Sequence, residues 1–225
     1  MGKEVFCLQG QLDFFTEERQ FPPDDLPLLT ARVRLPRWDG QDGRRFDLYY
    51  TAYARAFFSY CLHTLLPRAT EALALSRQSG GAIPDWHITL DTIVTLHTDR
   101  LVSLYTDTVE QTDGRRLVVR RADTWDLAEN TPLPPTQLFP GMSVPRRRLL
   151  GDVTDQILRR QEQGLAAYNL DWRRAIRAAF SADHLYLTPE HLCIFYQMYT
   201  IAPALEGIPV FRIPYDEKRG PCLPA

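Results

Sequence analysis

Aromatic residues recur at helical spacing between residues 46 and 65. The large side chains of this stretch stand three or four residues apart: Phe46, Tyr49, Tyr50, Tyr53, Phe57, Cys61 and Leu65. Residues with this spacing share one face of an α-helix, which packs against a sheet or lines a ligand groove. The pattern predicts a long helix from Phe46 to about Arg77. Pro67 is expected to end or kink it, because proline lacks the amide hydrogen that the helical ladder needs, and Ala69 to Ser76 can then continue as a second piece.

Strand-like segments flank the predicted helix. Apolar and polar residues alternate from Leu28 to Trp38, which predicts a half-buried strand before the helix. Three similar runs follow the helix: Trp86 to His97, Arg100 to Gln111 and Arg115 to Trp125. The break before the last run contains Asp113-Gly114, a dipeptide favoured in tight hairpins. These runs predict an antiparallel meander.

The C-terminal third mixes helical and strand patterns. Helical spacing runs from Pro145 to about Gln163, and a shorter helix is predicted from Asp171 to Phe180, with Asp171 as a candidate N-cap. The predicted strands that follow are His184 to Leu187, His191 to Ile201 and Ile208 to Ile213. The chain is therefore expected to be α+β, with an antiparallel β-sheet packed against a long amphipathic helix and a C-terminal helix layer.

Composition and charge narrow the function classes. Hydrophobic residues make up 44% and charged residues 24% of the 225 residues, which is typical of a folded soluble protein. A net charge of −2 gives no attraction for nucleic acid or anionic lipid. No stretch approaches the roughly 20 apolar residues that a membrane span needs. Residues 1–6 lack the apolar core of a secretory signal. The sequence as given is therefore expected to be cytoplasmic, or extracytoplasmic if a leader was removed.

The order of short motifs in the second half resembles a known family. The motifs are Trp125-Asp126-Leu127, Gln137-Leu138-Phe139-Pro140-Gly141, Leu185-Tyr186-Leu187-Thr188, Ala202-Pro203-Ala204-Leu205-Glu206-Gly207 and Ile213-Pro214-Tyr215. This order, from about Asp85 to Tyr215, is similar to that in the C-terminal domain of RsiV-type anti-sigma factors. The resemblance implies an α+β fold with helices layered on an antiparallel sheet. Some members of that family bind a protein ligand, lysozyme, and others are fused to peptidoglycan-modifying enzymes.

The resemblance also suggests a domain division. Residues 83–225 correspond to the C-terminal domain of the family. Residues 1–82 contain the N-terminal strand and the long helix, and they loosely resemble the smaller domain that often precedes it. We expect the two domains to pack intimately against each other.

The loop from Ala202 to Gly207 is the candidate binding site. Loops held on a rigid sheet commonly carry recognition, and the family has an Ala-Pro loop at the same place. The candidate binding residues are Pro203, Ala204, Leu205, Glu206, Gly207 and Tyr215. The open alternative is a loop that only reverses the chain.

Histidines and cysteines give no pattern typical of a metal site. His184 and His191 lie near Asp183 and Glu190, but exposed strand ends also explain this cluster. The cysteines lack a C-x-x-C pair, so no metal and no cofactor are predicted. Cys7 and Cys222 would pair only in an oxidising compartment, and this alternative stays open.

Catalytic motifs are also lacking in the sequence. There is no Gly-x-Ser-x-Gly nucleophile motif. Four strand carboxylates would serve acid–base chemistry only if they converged: Asp91, Asp107, Asp123 and Asp126. We therefore expect a non-catalytic protein-binding or sensing module of unknown partner. The alternatives are a cell-wall accessory domain that contacts glycan, and a hydrolase that uses the strand carboxylates.

Overall fold

The fold is described by a computed structural model, which covers residues 11–22, 27–40, 43–141 and 143–224. The strands are β1 (Gln11–Phe21), β2 (Leu29–Asp39), β3 (Trp86–His97), β4 (Leu101–Thr112), β5 (Arg115–Asp126), β6 (Thr131–Pro132), β7 (Leu185–Leu187), β8 (His191–Phe195) and β9 (Val210–Pro214). The α-helices are α1 (Arg44–Tyr60), α2 (Leu66–Ser79), α3 (Arg146–Glu162) and α4 (Trp172–Ala178). The predicted α+β class is confirmed. Among the described residues, no helix is both long enough and apolar enough to cross a membrane.

The chain forms two compact units. The first unit contains the described residues up to 92 together with 106–117, and the second contains 93–105 and the described residues from 118 to 224. Strands β3, β4 and β5 therefore each contribute residues to both units. The predicted division between residues 82 and 83 concerns family domains, which compactness does not test, and it stays a prediction.

The larger sheet contains six strands in the order β1-β2-β3-β4-β5-β6. β1 and β2 are antiparallel, with Gln11 opposite Asp39. β2 and β3 are parallel, with Leu29 opposite Trp86, and this pair departs from the predicted antiparallel arrangement. The reason is the connection: a long helical crossover joins β2 to β3, and a crossover of this kind is how parallel neighbours are linked.

The aromatic face of α1 is buried in the first unit. Phe46 and Tyr50 have no exposed surface and Phe57 is 5% exposed, so these residues of the predicted stripe are core. Tyr49 and Tyr53 of the stripe are half-buried. The rings of Phe46 and Tyr50 lie 4.7 Å apart. α1 packs on β2, whose inward residues Ala31 and Val33 are also completely buried. The helix is thus held on the sheet by the hydrophobic effect.

The helix continues past Pro67. A π-helical turn, Cys61–Leu65, joins α1 to α2, and the N–H of Leu66 donates to the carbonyl of Cys61. Pro67 then lies in the first turn of α2, directly after the π-helical turn. Pro67 thus does not end the helix: the predicted second piece is α2, and the helical stretch reaches Ser79, close to the predicted Arg77.

The second unit has its own core. α3 places Leu149, Val153 and Ile157 on its inner side, and each is completely buried. These side chains belong to a cluster that also contains Ile194 of β8 and Phe211 of β9. The three-stranded sheet β7-β8-β9 is antiparallel throughout.

Two local predictions in the second unit need correction. The strand predicted from His191 to Ile201 ends at Phe195. Residues 196–200 turn instead, and Tyr199 has a φ of 67°, which a β-strand does not accommodate. The side chain of Asp171 does not cap α4; its carbonyl accepts the N–H groups of Arg174 and Ala175 instead.

Candidate functional site

Two loops of the second unit are hydrogen-bonded to each other. They comprise residues 164–171 and residues 199–207, and we call them together the two-loop surface. The N–H of Ala167 donates to Oε1 of Glu206 at 2.8 Å. The N–H of Asn169 donates to the carbonyl of Ile201 at 3.0 Å. The predicted binding loop is thus supported by a second loop that lies more than thirty residues earlier in the chain.

Helix ends define the first loop. Gly164 has a φ of 64°, a conformation that glycine adopts without strain, and it terminates α3. Beyond the loop, Trp172 opens α4, and its indole is 3% exposed. The ring of Tyr168 lies 6.4 Å from that indole. The loop between Gly164 and Trp172 is therefore anchored at both ends.

The second loop has buried anchors and an exposed turn. Ile201 and Ala202 are at most 1% exposed, so the chain enters the turn from the core. Residues Ala204–Glu206 form one turn of 3₁₀-helix. Gly207, with a φ of 64°, then redirects the chain towards β9. A glycine is needed here because a side chain at this φ would be strained.

Large apolar side chains project from both loops into solvent. Leu165 is 70% exposed, Leu170 is 106% exposed and Leu205 is 97% exposed. Tyr199, which has a positive φ, is 55% exposed. Exposed apolar residues are common singly, and these four lie on two loops that are hydrogen-bonded to each other.

The predicted site residues do not all lie on this surface. Pro203, Ala204 and Leu205 are exposed, and the Glu206 carboxylate holds the neighbouring loop. Tyr215 has a different position, described next. Sequence reasoning missed Leu165, Leu170 and Tyr199, because no local pattern indicates that residues 164–171 lie beside residues 199–207.

Tyr215 supports the hairpin of β7 and β8. Its hydroxyl donates to the carbonyls of Thr188 at 2.7 Å and His191 at 3.1 Å. Burial raises the pKa of this hydroxyl. The ring lines a surface cavity of about 680 Å³ beside α3, and the described residues around that cavity include none from 203 to 207. Tyr215 thus has a supporting position in the fold, and a binding role for it stays a prediction.

The histidines of the candidate metal cluster have separate surroundings. His184 stacks on Phe195 with ring centroids 4.9 Å apart, and burial lowers the pKa of its imidazole. His191 lies 3.9 Å from the carboxylate of Glu190. In the described ranges, no three His, Cys, Asp or Glu side chains are grouped so that they would hold a metal ion.

Three of the strand carboxylates lie in ion pairs, and Asp123 contacts Arg121 at 3.7 Å. Asp91 contacts Arg34 at 3.2 Å. Asp126 is 5% exposed, contacts Arg100 at 3.1 Å and accepts the N–H groups of Ala128 and Glu129. Asp91 and Asp126 are therefore both held by neighbouring residues of the fold.

The cysteines are thiols wherever the structure describes them. Cys61 and Cys193 are buried, and burial raises the pKa of Cys61 to about 12, so its reactive thiolate form is suppressed at neutral pH. The Cys222 thiol lies 3.6 Å from the carbonyl of Leu138. The possible pairing of Cys222 with Cys7 lies outside the described residues, because Cys7 does.

Comparisons with known proteins support the fold. A crystal structure of a DUF3298 family member from Bacteroides fragilis NCTC 9343 matches with a TM-score of 0.66 and 16% identity, covering 93% of this chain and 92% of that one. A DUF3298 family protein from Pseudomonas aeruginosa PAO1 matches with a TM-score of 0.58 and 16% identity, covering 92% of each chain. At this identity the likeness concerns the fold. Among curated proteins, the comparison found no match.

A family model covers part of the second unit, including both loops. Residues 138–216 match the family described as "Protein of unknown function (DUF3298)". The narrower kinship with RsiV-type anti-sigma factors stays a prediction. The chain therefore carries a segment similar to the DUF3298 domain within a fold similar to that of DUF3298 proteins.

Proposed function

We propose that this protein is a non-catalytic protein-binding module whose partner contacts the two-loop surface. The observation that carries the proposal is Leu205, which is 97% exposed at the tip of an ordered turn. The buried Ile201 and the hydrogen bond from the Ala167 N–H to Glu206 anchor the turn. An apolar side chain held in solvent by a fixed backbone is suited to enter a pocket on a partner.

Exposed apolar area and the fixed loop backbone both favour binding at the two-loop surface. Burying one exposed leucine contributes about 2 kcal/mol, so Leu165, Leu170 and Leu205 together offer a substantial driving force. The hydrogen bonds between the loops also lower the entropic cost of binding, because less ordering is needed on association.

The ion pairs of the strand carboxylates and the resemblance to RsiV-type domains both favour binding over catalysis. The contacts of Asp91 with Arg34 and of Asp126 with Arg100 support structural roles for these acids. The resemblance of the second half to RsiV-type domains supports a protein ligand and makes lysozyme the first purified probe to try.

The experiment measures binding of the immobilised full chain to purified lysozyme and, separately, to proteins from a lysate of its own source. The site variants are Leu205→Asp and Leu170→Asp. The matched control is Leu75→Asp, which changes a leucine on α2 that is 61% exposed. We expect saturable binding that each site variant weakens at least tenfold, while the control variant binds like the wild type.

Equal binding by the wild type and both loop variants would exclude the two-loop surface. A soluble peptidoglycan fragment serves as a third probe. Saturable binding of that fragment, with no protein bound, would favour the glycan-contacting alternative instead.

A further inference from the structure

The outer edge of β5 is hydrogen-bonded on either side of Ala122. At Arg120, the side-chain amide of Gln197 pairs with the backbone: the Arg120 N–H donates to Oε1 at 2.9 Å, and Nε2 donates to the Arg120 carbonyl at 2.5 Å. At Thr124, the carbonyl accepts the N–H of Leu133 at 2.7 Å. The backbone groups of both positions on this edge are thus engaged in hydrogen bonds.

The backbone of Ala122 faces the same edge. Strand geometry repeats every two residues, so the N–H and C=O of residue 122 point the same way as those of residues 120 and 124. In the described part of the chain β6 pairs only with residues 125–126 of β5, so no strand of the sheet lies beside Ala122 on this side.

An edge of β7 faces the same space. The N–H of Thr188 donates to the carbonyl of His191, and the N–H of Phe195 donates to the carbonyl of His184, so residues 184 and 188 face β8. By the same alternation, the backbone groups of residues 185 and 187 point away from β8. Leu187 confirms this direction, because its N–H donates to the hydroxyl of Ser103 at 2.8 Å.

A cavity of about 540 Å³ lies between these two edges, and both Ala122 and Leu185 line it. Leu133, Pro134 and Pro135 also line it. Because Arg120 and Thr124 are already engaged, the part of β5 that lines the cavity offers one outward-facing residue, Ala122, to an incoming chain. The available length is therefore that of a short segment and not of a full strand.

We propose that this cavity binds a short extended peptide segment of a partner protein, whose central residue pairs its N–H and C=O with Ala122. The Gln197 amide supports this occupant, because it already makes the same pair of hydrogen bonds one step along the edge. The central residue of the segment cannot be proline, since it must donate an amide hydrogen. This is recognition by strand addition, and it uses a different surface from the two-loop surface.

The test uses phage-displayed random heptapeptides on the full chain, with counter-selection on Ala122→Pro. That substitution removes the N–H that points out of the sheet and leaves the hydrogen bonds on the other side of β5. Sheets tolerate proline at such an outward-facing edge position. Ala122→Ser keeps the N–H and is the matched control. We expect the enriched peptide to bind Ala122→Pro about tenfold more weakly than wild type, as expected for losing a hydrogen bond, and to bind Ala122→Ser within about threefold.

A second arm needs no protein variant. Methylating the peptide nitrogens one at a time is expected to weaken binding by about tenfold at the central residue but not at the residues beside it, because neighbouring amides point to opposite edges. This arm decides the question if Ala122→Pro does not fold.

Three outcomes would overturn the proposal: no peptide enriched on wild type over Ala122→Pro, no alternation in the methylation series, or a wild-type dimer that becomes monomeric in Ala122→Pro. The last would assign the edge to a second copy of the chain. Leu205→Asp is expected to keep the peptide affinity, so failure here is distinguishable from failure of the proposed function.

Discussion

The aromatic face of α1 and the two-loop surface are both rich in large apolar side chains, yet they meet solvent in opposite ways. Phe46, Tyr50 and Phe57 on the helix are at most 5% exposed. Leu170 and Leu205 on the loops are almost fully exposed. The helix repeats its apolar residues every three or four positions, so one face meets the sheet. The loops have no such period, and their backbone is fixed by hydrogen bonds instead.

Large hydrophobic side chains therefore have separate roles in the two regions. On α1 they supply stability. On the loops they contribute little to the fold and are available to a partner. Substitutions in the two regions are therefore expected to separate stability from binding.

The largest effect is expected in the helix. Phe46→Ala removes a completely buried ring and leaves a cavity, so the free energy of unfolding is expected to fall by about 3–5 kcal/mol. Leu48→Ala, which changes a 57% exposed residue of the same helix, is the control and is expected to change it by less than about 0.5 kcal/mol. Denaturant titration measures both. Similar losses for the two variants would contradict the burial described for α1.

A smaller effect is expected where the loops join. Glu206→Ala removes the acceptor for the Ala167 N–H and is expected to cost about 1 kcal/mol. Glu206→Gln keeps an acceptor oxygen and is the control. Hydrogen exchange is expected to quicken at residues 164–171 in Glu206→Ala and to stay slow in Glu206→Gln. Unchanged exchange in both would show that this bond does not order the first loop.

The next effect concerns His184, a half-buried titratable group in the second unit. Burial holds the pKa of His184 below its ordinary value of 6.5. The unfolded state therefore binds a proton more readily, and the contribution of His184 to stability is present above pH 6.5 and lost as the pH falls below it. His184→Phe keeps a ring on Phe195 and is expected to flatten the fall in unfolding free energy between pH 7 and 5.5. The exposed-site variant His63→Asn is the control, and an unchanged slope in His184→Phe would contradict the assignment.

The smallest effect on stability is expected at the loop tip. Leu205→Asp changes a residue with almost no buried surface, so its unfolding free energy should stay within about 0.5 kcal/mol of the wild type. Thermal unfolding and denaturant titration check this. A large loss would mean that Leu205 supports the fold and would remove the contrast with Phe46.

Local patterns were sufficient to predict much of the fold. The period of Phe46, Tyr50 and Phe57 predicted a helix and its buried face. Alternation and the Asp113-Gly114 turn placed β3, β4 and β5 to within a residue or two of their observed bounds. Both features depend on residues close together in the chain, where spacing alone determines which side chains share a face.

Long-range features were not predictable in the same way. The parallel pairing of β2 with β3 depends on how a helical crossover returns the chain, and the π-helical turn before Pro67 depends on backbone adjustment. The two-loop surface depends on hydrogen bonds between residues 167 and 206 and between residues 169 and 201. The loop from Pro203 to Gly207 was recognised through its resemblance, but its neighbour carries no motif.

The most direct test of the central claim is hydrogen exchange of the full chain with and without a bound protein partner, read by mass spectrometry. The account predicts slower exchange in the partner-bound state for peptides that cover residues 164–171 and 199–207, with α1 unchanged. Protection confined to other segments, with both loops exchanging as in the free protein, would contradict the assignment of the two-loop surface as the binding site.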